Sequence, residues 1–203
     1  MTNGKKATGL AVLIAIPILI LLFLENFGEQ HYTVPTDPAE AEGLSAKVPA
    51  GSLGQSFQLP TSLSDNQGKI VTNDLLSEKE TIIFLPRSVS SDTTQSVFEQ
   101  LSRVQDIFEQ QEGVQILVVT NAQDSSRLAQ LASRYRSQFR TWRFLTDATN
   151  RHALAGTLPP GLPSSTVLLV DRDQRIRGYY DAVQEDEVDR LVVETRILRF
   201  GVE

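Results

Sequence analysis

The chain of 203 residues contains no cysteine. That excludes structural disulfides, thiolate metal sites and a lipidated N-terminal cysteine. Basic charge is also short: 19 Lys and Arg against 25 Asp and Glu leave a net charge of −6. This argues against nucleic acid as a partner, because a phosphate backbone asks for a basic face. The acidity is spread along the chain and mostly signals solubility. Histidine is nearly absent; only His31 and His152 occur. There are no internal repeats and no low-complexity tracts. What remains is an ordinary globular composition, 40% hydrophobic, which can bury a real core. The length suits one domain with additions.

The clearest addition is N-terminal. Lys5 and Lys6 precede an apolar run over residues 10–24, interrupted only by Pro17. With Ala7 and Gly9 it nears the length that crosses ~30 Å of hydrocarbon. The basic residues lie before the run and the first acidic residue, Glu25, after it. By the positive-inside rule the N-terminus stays cytoplasmic and everything after Glu25 is exported. The alternatives are a cleaved signal peptide and a buried soluble helix. The segment after Leu24 has no small-x-small cleavage site, and Ala39-Glu40-Ala41 lies too far downstream. The expected organisation is therefore a cytoplasmic stub and transmembrane anchor over residues 1–26, a Pro- and Gly-containing juxtamembrane linker over 27–52, and a folded domain over 53–203.

Within that domain the pattern alternates strand and helix. Residues 56–59 read as a short strand, and Asp65-Asn66-Gln67-Gly68 as a turn leading to a hairpin partner at 69–72. Residues 81–85 are apolar without alternation, the mark of a strand buried on both faces. A loop, Pro86-Arg87-Ser88-Val89-Ser90-Ser91-Asp92, leads to a helix reaching about Gln111. Its stripe is Val97, Leu101, Val104 and Phe108, and Ser91 or Asp92 can cap it. Residues 114–120 form a second buried strand. A helix capped by Asp124 follows, carrying Leu128, Leu131, Ala132 and Tyr135, then a strand at 142–145 and a helical turn at 150–155. A hairpin over 165–180 turns at Arg172-Asp173-Gln174. A helix over 185–200, acidic in its first turn and basic in its last, completes the domain. The right-handed crossover rule makes the first two long strands parallel. The fold class is α/β: a thioredoxin-like sandwich, a central mixed sheet flanked by helices, with an N-terminal transmembrane helix.

Three stretches give this domain a family likeness. Ser64-Asp65-Asn66-Gln67-Gly68-Lys69 resembles an early D-x-x-G-K turn. The run from Leu169 to Asp181, with Ile176-Arg177-Gly178-Tyr179-Tyr180-Asp181 its most specific part, resembles a closing L-V-D-x-x-G-x-I-R-G-x-Y-D segment. Glu187-Val188-Asp189-Arg190-Leu191 resembles the opening of the last helix. Together with Gly28 to Pro35 they make the chain similar to the Sco/SenC family, thioredoxin-fold, membrane-tethered proteins that serve maturation of the copper centre of cytochrome oxidase. The likeness covers roughly residues 28–200. It implies a metal motif of Cys-x-x-x-Cys plus a distant His. In register these positions are Ser88, Asp92 and Pro163. Copper(I) prefers thiolate, thioether and imidazole, so the resemblance implies a site without its ligands.

Each candidate residue also has a plainer reading. Ser88 with Asp92 is a candidate oxygen site for a hard cation, but Asp at this position is first a helix cap, and too few ligands lie nearby for calcium. Ser88 as a nucleophile requires a base, and no histidine is near in sequence. His31 and His152 are candidate weak ligands; a lone histidine is more often a surface residue. Pro163 stands where related folds carry a cis-proline. Arg87, Arg134, Arg136, Arg140 and Arg143 are a candidate patch for an acidic partner, against a solvated helix face. Phe139, Trp142 and Phe144 are core unless one of them is exposed for docking.

These readings lead to a membrane-anchored, non-catalytic partner-binding or assembly subunit on the periplasmic face, without a bound cofactor, working with a protein partner in a respiratory membrane complex. The alternative is an atypical copper chaperone that uses non-cysteine ligands. An enzyme of oxygen chemistry lacks the necessary clusters, and peroxidase or disulfide exchange on this fold needs a sulfur nucleophile.

Overall fold

The computed structural model describes residues 15–19, 33–65, 67–121, 124–136, 141–147 and 158–201. The chain divides into two units, Met1–Thr33 with Val202–Glu203, and Val34–Gly201. In the first, residues 15–19 are helical and exposed. The expected anchor otherwise lies outside the described residues, and among those described no helix is long and apolar enough to cross a membrane.

The second unit is built on a six-stranded mixed sheet. Its strands are β1 (Leu63–Asp65), β2 (Glu80–Phe84), β3 (Val114–Asn121), β4 (Trp142–Asp147), β5 (Thr166–Val170) and β6 (Ile176–Asp181), in the spatial order β1-β4-β3-β2-β5-β6. β2, β3 and β4 run parallel; β1, β5 and β6 pair antiparallel. Every residue of β2 is buried, as its unbroken apolar run requires in a strand covered on both faces. Alternate side chains then feed two cores. Ile82, Phe84, Ile116, Val118 and Leu169 point to one face, and Ile83, Leu117, Val119 and Leu168 to the other.

The first face is covered by α1 (Asp92–Phe108), α2 (Ser125–Arg136) and α3 (Glu185–Phe200). The apolar stripe of α1 is buried as its spacing demands. The rings of Phe98, Tyr135 and Trp142 stack at 5.1–5.7 Å between centroids, and Phe84 meets Phe98 edge-on at 5.9 Å. Trp142 and Phe144 are therefore core residues; Phe139 lies outside the described residues.

The second face is covered by the N-terminal stretch of the unit. Leu44, Val48, Leu53, Phe57, Leu59 and Leu76 pack on Ile83, Leu117, Leu168 and Tyr179. Most of residues 34–52, expected as linker, thus follow the domain surface, with a 3-10 turn at Ser45–Lys47. Long-range contacts hold them there. The Leu44 amide donates to Glu187 Oε1 at 2.8 Å. Glu187 receives Arg190 at 2.6 Å, Arg190 reaches Glu194 at 3.1 Å, and the Tyr180 hydroxyl donates to Glu194 at 2.7 Å. Burial is the leading cause that lifts the Glu194 carboxyl and the Tyr180 phenol above their ordinary values.

Three expected details differ. The strand at 56–59 is one bridge, Ser56 to Arg175, and the hairpin partner at 69–72 is one bridge, Ser64 to Ile70. Phe57 and Leu59 are buried by packing on the second core rather than by strand pairing, and Ile70 is exposed. α1 stops at Phe108, the last residue of its apolar stripe.

Candidate functional site

The loop from β2 to α1 carries the positions singled out by sequence. Ser91 is the N-cap of α1, its hydroxyl accepting the Thr94 amide at 3.1 Å. Asp92 is the first helical residue and is exposed, so the cap expected of Asp92 belongs to Ser91. Serine and aspartate cap equally well, and the chain enters the helix one residue earlier. The Ser88 carbonyl accepts the Thr94 hydroxyl at 2.7 Å, and the Ser88 hydroxyl stands 3.3 Å from that of Ser90. Ser90 also takes the Arg127 guanidinium of α2 at 2.7 Å. These contacts are spent on closing the loop. No described hydrogen bond joins Ser88 to Asp92, and no group of three His, Cys, Asp or Glu that could hold a metal occurs among the described residues. His31 and His152 lie outside the described residues.

Pro163 sits across from this loop, ahead of β5, and its peptide bond is trans. Its carbonyl accepts the Thr166 amide at 3.2 Å and the Thr166 hydroxyl at 2.8 Å, which pins the loop to the strand. Between the two loops lies a cavity of about 480 Å³, walled by Leu85, Pro86 and Arg87 on one side and by residues 158–164 on the other. Its floor is Leu63, Val119, Thr120, Asp147 and Thr166. Thr120 and Asp147 stand at or next to the carboxyl ends of β3 and β4, where open α/β sheets present ligand crevices. The Thr120 hydroxyl is buried and has no hydrogen-bond partner among the described residues.

Of the expected basic patch, Arg87 is exposed on the cavity rim. Arg134 lies 5.7 Å from the ring of Tyr135, and Arg143 donates to the Trp142 carbonyl at 3.2 Å. Arg136 belongs to α2, and Arg140 lies outside the described residues. The sequence singled out Arg87 and Pro163. It gave no notice of Thr120, Asp147, Leu158 and Leu162, although a polar residue closing an apolar strand was a signal for the first two.

Copper(I) is a poor match for this donor set. Ser88 and Asp92 offer hard oxygens, and Pro163 offers no side-chain donor.

No family model matches the sequence, and no curated protein does. Solved structures match the fold. A SCO1/SenC family lipoprotein from Bacillus anthracis is 12% identical with a TM-score of 0.55, over 71% of this chain and 93% of that one. BsSco, a member of the Sco family of cytochrome c oxidase assembly proteins, is 15% identical with a TM-score of 0.57, over 73% and 96%. ScoI of Bradyrhizobium japonicum with copper bound is 17% identical with a TM-score of 0.52, over 72% and 99%. The chain thus has the thioredoxin-like α/β fold of the Sco/SenC structures.

Proposed function

We propose that this chain is a membrane-anchored, non-catalytic partner-binding subunit, with its folded domain on the exported face, serving assembly of a cytochrome oxidase-type respiratory complex. One observation carries the reading. A Sco-type frame is kept, while its loop holds hydroxyls that are spent on capping α1 and on Arg127. A frame without thiolate or imidazole at its working loop acts by contact rather than by sulfur chemistry or soft-metal transfer. The anchor is argued from Lys5, Lys6 and the apolar run that follows them.

The test is purification of the full chain from its native membranes in mild detergent, with identification of the proteins retained. The expected result is a defined membrane complex in fixed ratio. Alongside it, the purified chain is titrated with copper(I) under reducing conditions and takes up none stoichiometrically. Tight one-to-one copper binding, or a chain that carries no partner, overturns the reading.

A further inference from the structure

We propose that the cavity at the carboxyl edge of the sheet takes an extended segment of a protein partner, one that presents an apolar side chain next to a carboxylate. The inference rests on the partner-binding reading above and names the chemistry that this site selects.

The cavity's volume of about 480 Å³ falls in the roughly 300–1,000 Å³ range of ligand pockets. Its shape follows its lining. The seven consecutive residues 158–164 form one wall and Leu85, Pro86 and Arg87 the other. A space bounded lengthwise by two chain segments is a groove, and a groove fits an extended chain better than a compact molecule. Pro86, Pro159, Pro160 and Pro163 stiffen both walls, so little ordering remains to be lost when an occupant arrives. Leu85, Leu158 and Leu162 are only half-buried here, and an apolar side chain would complete their burial.

The polar lining gives the groove direction: the carboxyl of Asp147, 2% exposed, lies on the floor, so an occupant's carboxylate belongs at the rim. The Thr120 hydroxyl lines the cavity, is 3% exposed and has no partner among the described residues. A buried hydroxyl left alone is costly, and a backbone amide or carbonyl of an occupant satisfies it. Arg87 stands on the rim, exposed, with no ion pair among the described residues. On a chain of net charge −6, a carboxylate approaching the groove is attracted at Arg87, the one basic residue among the described residues that line it. The guanidinium then fixes the register of the segment as well as binding it.

The experiment pans a phage-displayed random-peptide library on the full chain held in dodecyl maltoside. Enriched sequences are remade as labelled peptides, and their affinities are measured by fluorescence anisotropy. The expected peptides share an apolar residue beside Asp or Glu. Their affinity is expected to fall about tenfold on Arg87→Glu, as loss of a charged contact entails. It falls about three- to fivefold on Thr120→Val, which removes one hydrogen bond and keeps the shape. Leu162→Asp abolishes binding; Thr120→Val carries the test should Leu162→Asp fail to fold. Absence of enrichment, equal binding by Arg87→Glu and Thr120→Val, or binding of decanoate with no peptide selected overturns the proposal. The partner-binding reading fails separately. A membrane complex retained at full level by Arg87→Glu sinks this inference alone, and a wild-type chain that carries no complex sinks the reading.

Discussion

The hydroxyl of Ser45 donates to the Tyr179 carbonyl and accepts the Tyr179 amide, both at 2.9 Å, across 134 residues of sequence. One side chain thereby occupies both backbone groups that β6, an edge strand, turns away from β5. It does locally what another strand would do and blunts the edge. Ser45→Ala leaves the buried Tyr179 amide without its partner and its carbonyl with only the longer bond from Arg190 Nη2 at 3.4 Å. A loss of about 1–3 kcal/mol is expected, read as a lower urea midpoint at unchanged slope. An unchanged midpoint would show that water reaches Tyr179 and that the covering stretch is not closed over β6.

Gly178 explains why the Ile-Arg-Gly-Tyr-Tyr-Asp stretch needs its glycine. A Cβ at Gly178 would come within 2.2 Å of the Tyr180 hydroxyl oxygen and 2.5 Å of its ring carbon. The phenol lies over the bare Cα on its way to Glu194, 2.7 Å beyond. Gly178→Ala must push the ring aside and is expected to cost about 1–3 kcal/mol. In a Tyr180→Phe background the cost is expected to shrink, because both changes act on the same contact. A double-mutant cycle in urea measures this, and strict additivity would refute the coupling.

How far the sequence exposes all this depends on the range of the interactions. β2 was legible because burial on both faces writes itself as an unbroken apolar run. α3 was legible to the residue, Glu185–Phe200, because acidic and basic end turns mark its dipole. The packing of residues 34–52 was not legible. It rests on Ser45 with Tyr179 and Leu44 with Glu187, partners 134 and 143 positions away, and no local pattern records them. The site divides the same way. Arg87 and Pro163 stood out because they flank a strand within a few residues. Thr120 and Leu162 share a cavity only because β3 and the loop before β5 meet in space.

Glu80 predicts a pH dependence. Its side chain is fully buried at the start of β2, with Arg172 at 3.4 Å and Arg199 at 3.6 Å. Burial lifts its carboxyl above the ordinary 4.5; the Glu80 backbone hydrogen bond, Arg199 and Arg172 oppose this, and Asp171 reinforces it. The native state therefore holds the proton more tightly than the unfolded chain. The stability this contributes is fully present below the unfolded value and is lost as pH rises through the folded one. Glu80→Gln removes the dependence. The wild type is expected to gain on the variant as pH falls from neutral into the carboxylate range, measured by urea unfolding of both proteins at each pH. A wild type that loses ground on acidification would show that the two arginines outweigh burial.

Thr120 offers a stability change of unusual sign. Its hydroxyl is buried and without a partner among the described residues, as is that of Thr195 on α3. Replacing each threonine with valine keeps the volume and branching, suits a strand at position 120, and removes a polar atom that folding strips of water. Thr120→Val and Thr195→Val are each expected to be neutral or to gain up to about 1 kcal/mol. Only Thr120 lines the cavity. The two variants therefore match in thermal melting and differ in peptide affinity, which falls for Thr120→Val alone. A Thr120→Val loss beyond about 1 kcal/mol would mean that the hydroxyl already holds a bound water. The groove would then be hydrated in the free protein, and an occupant would have to displace that water before it could use Thr120.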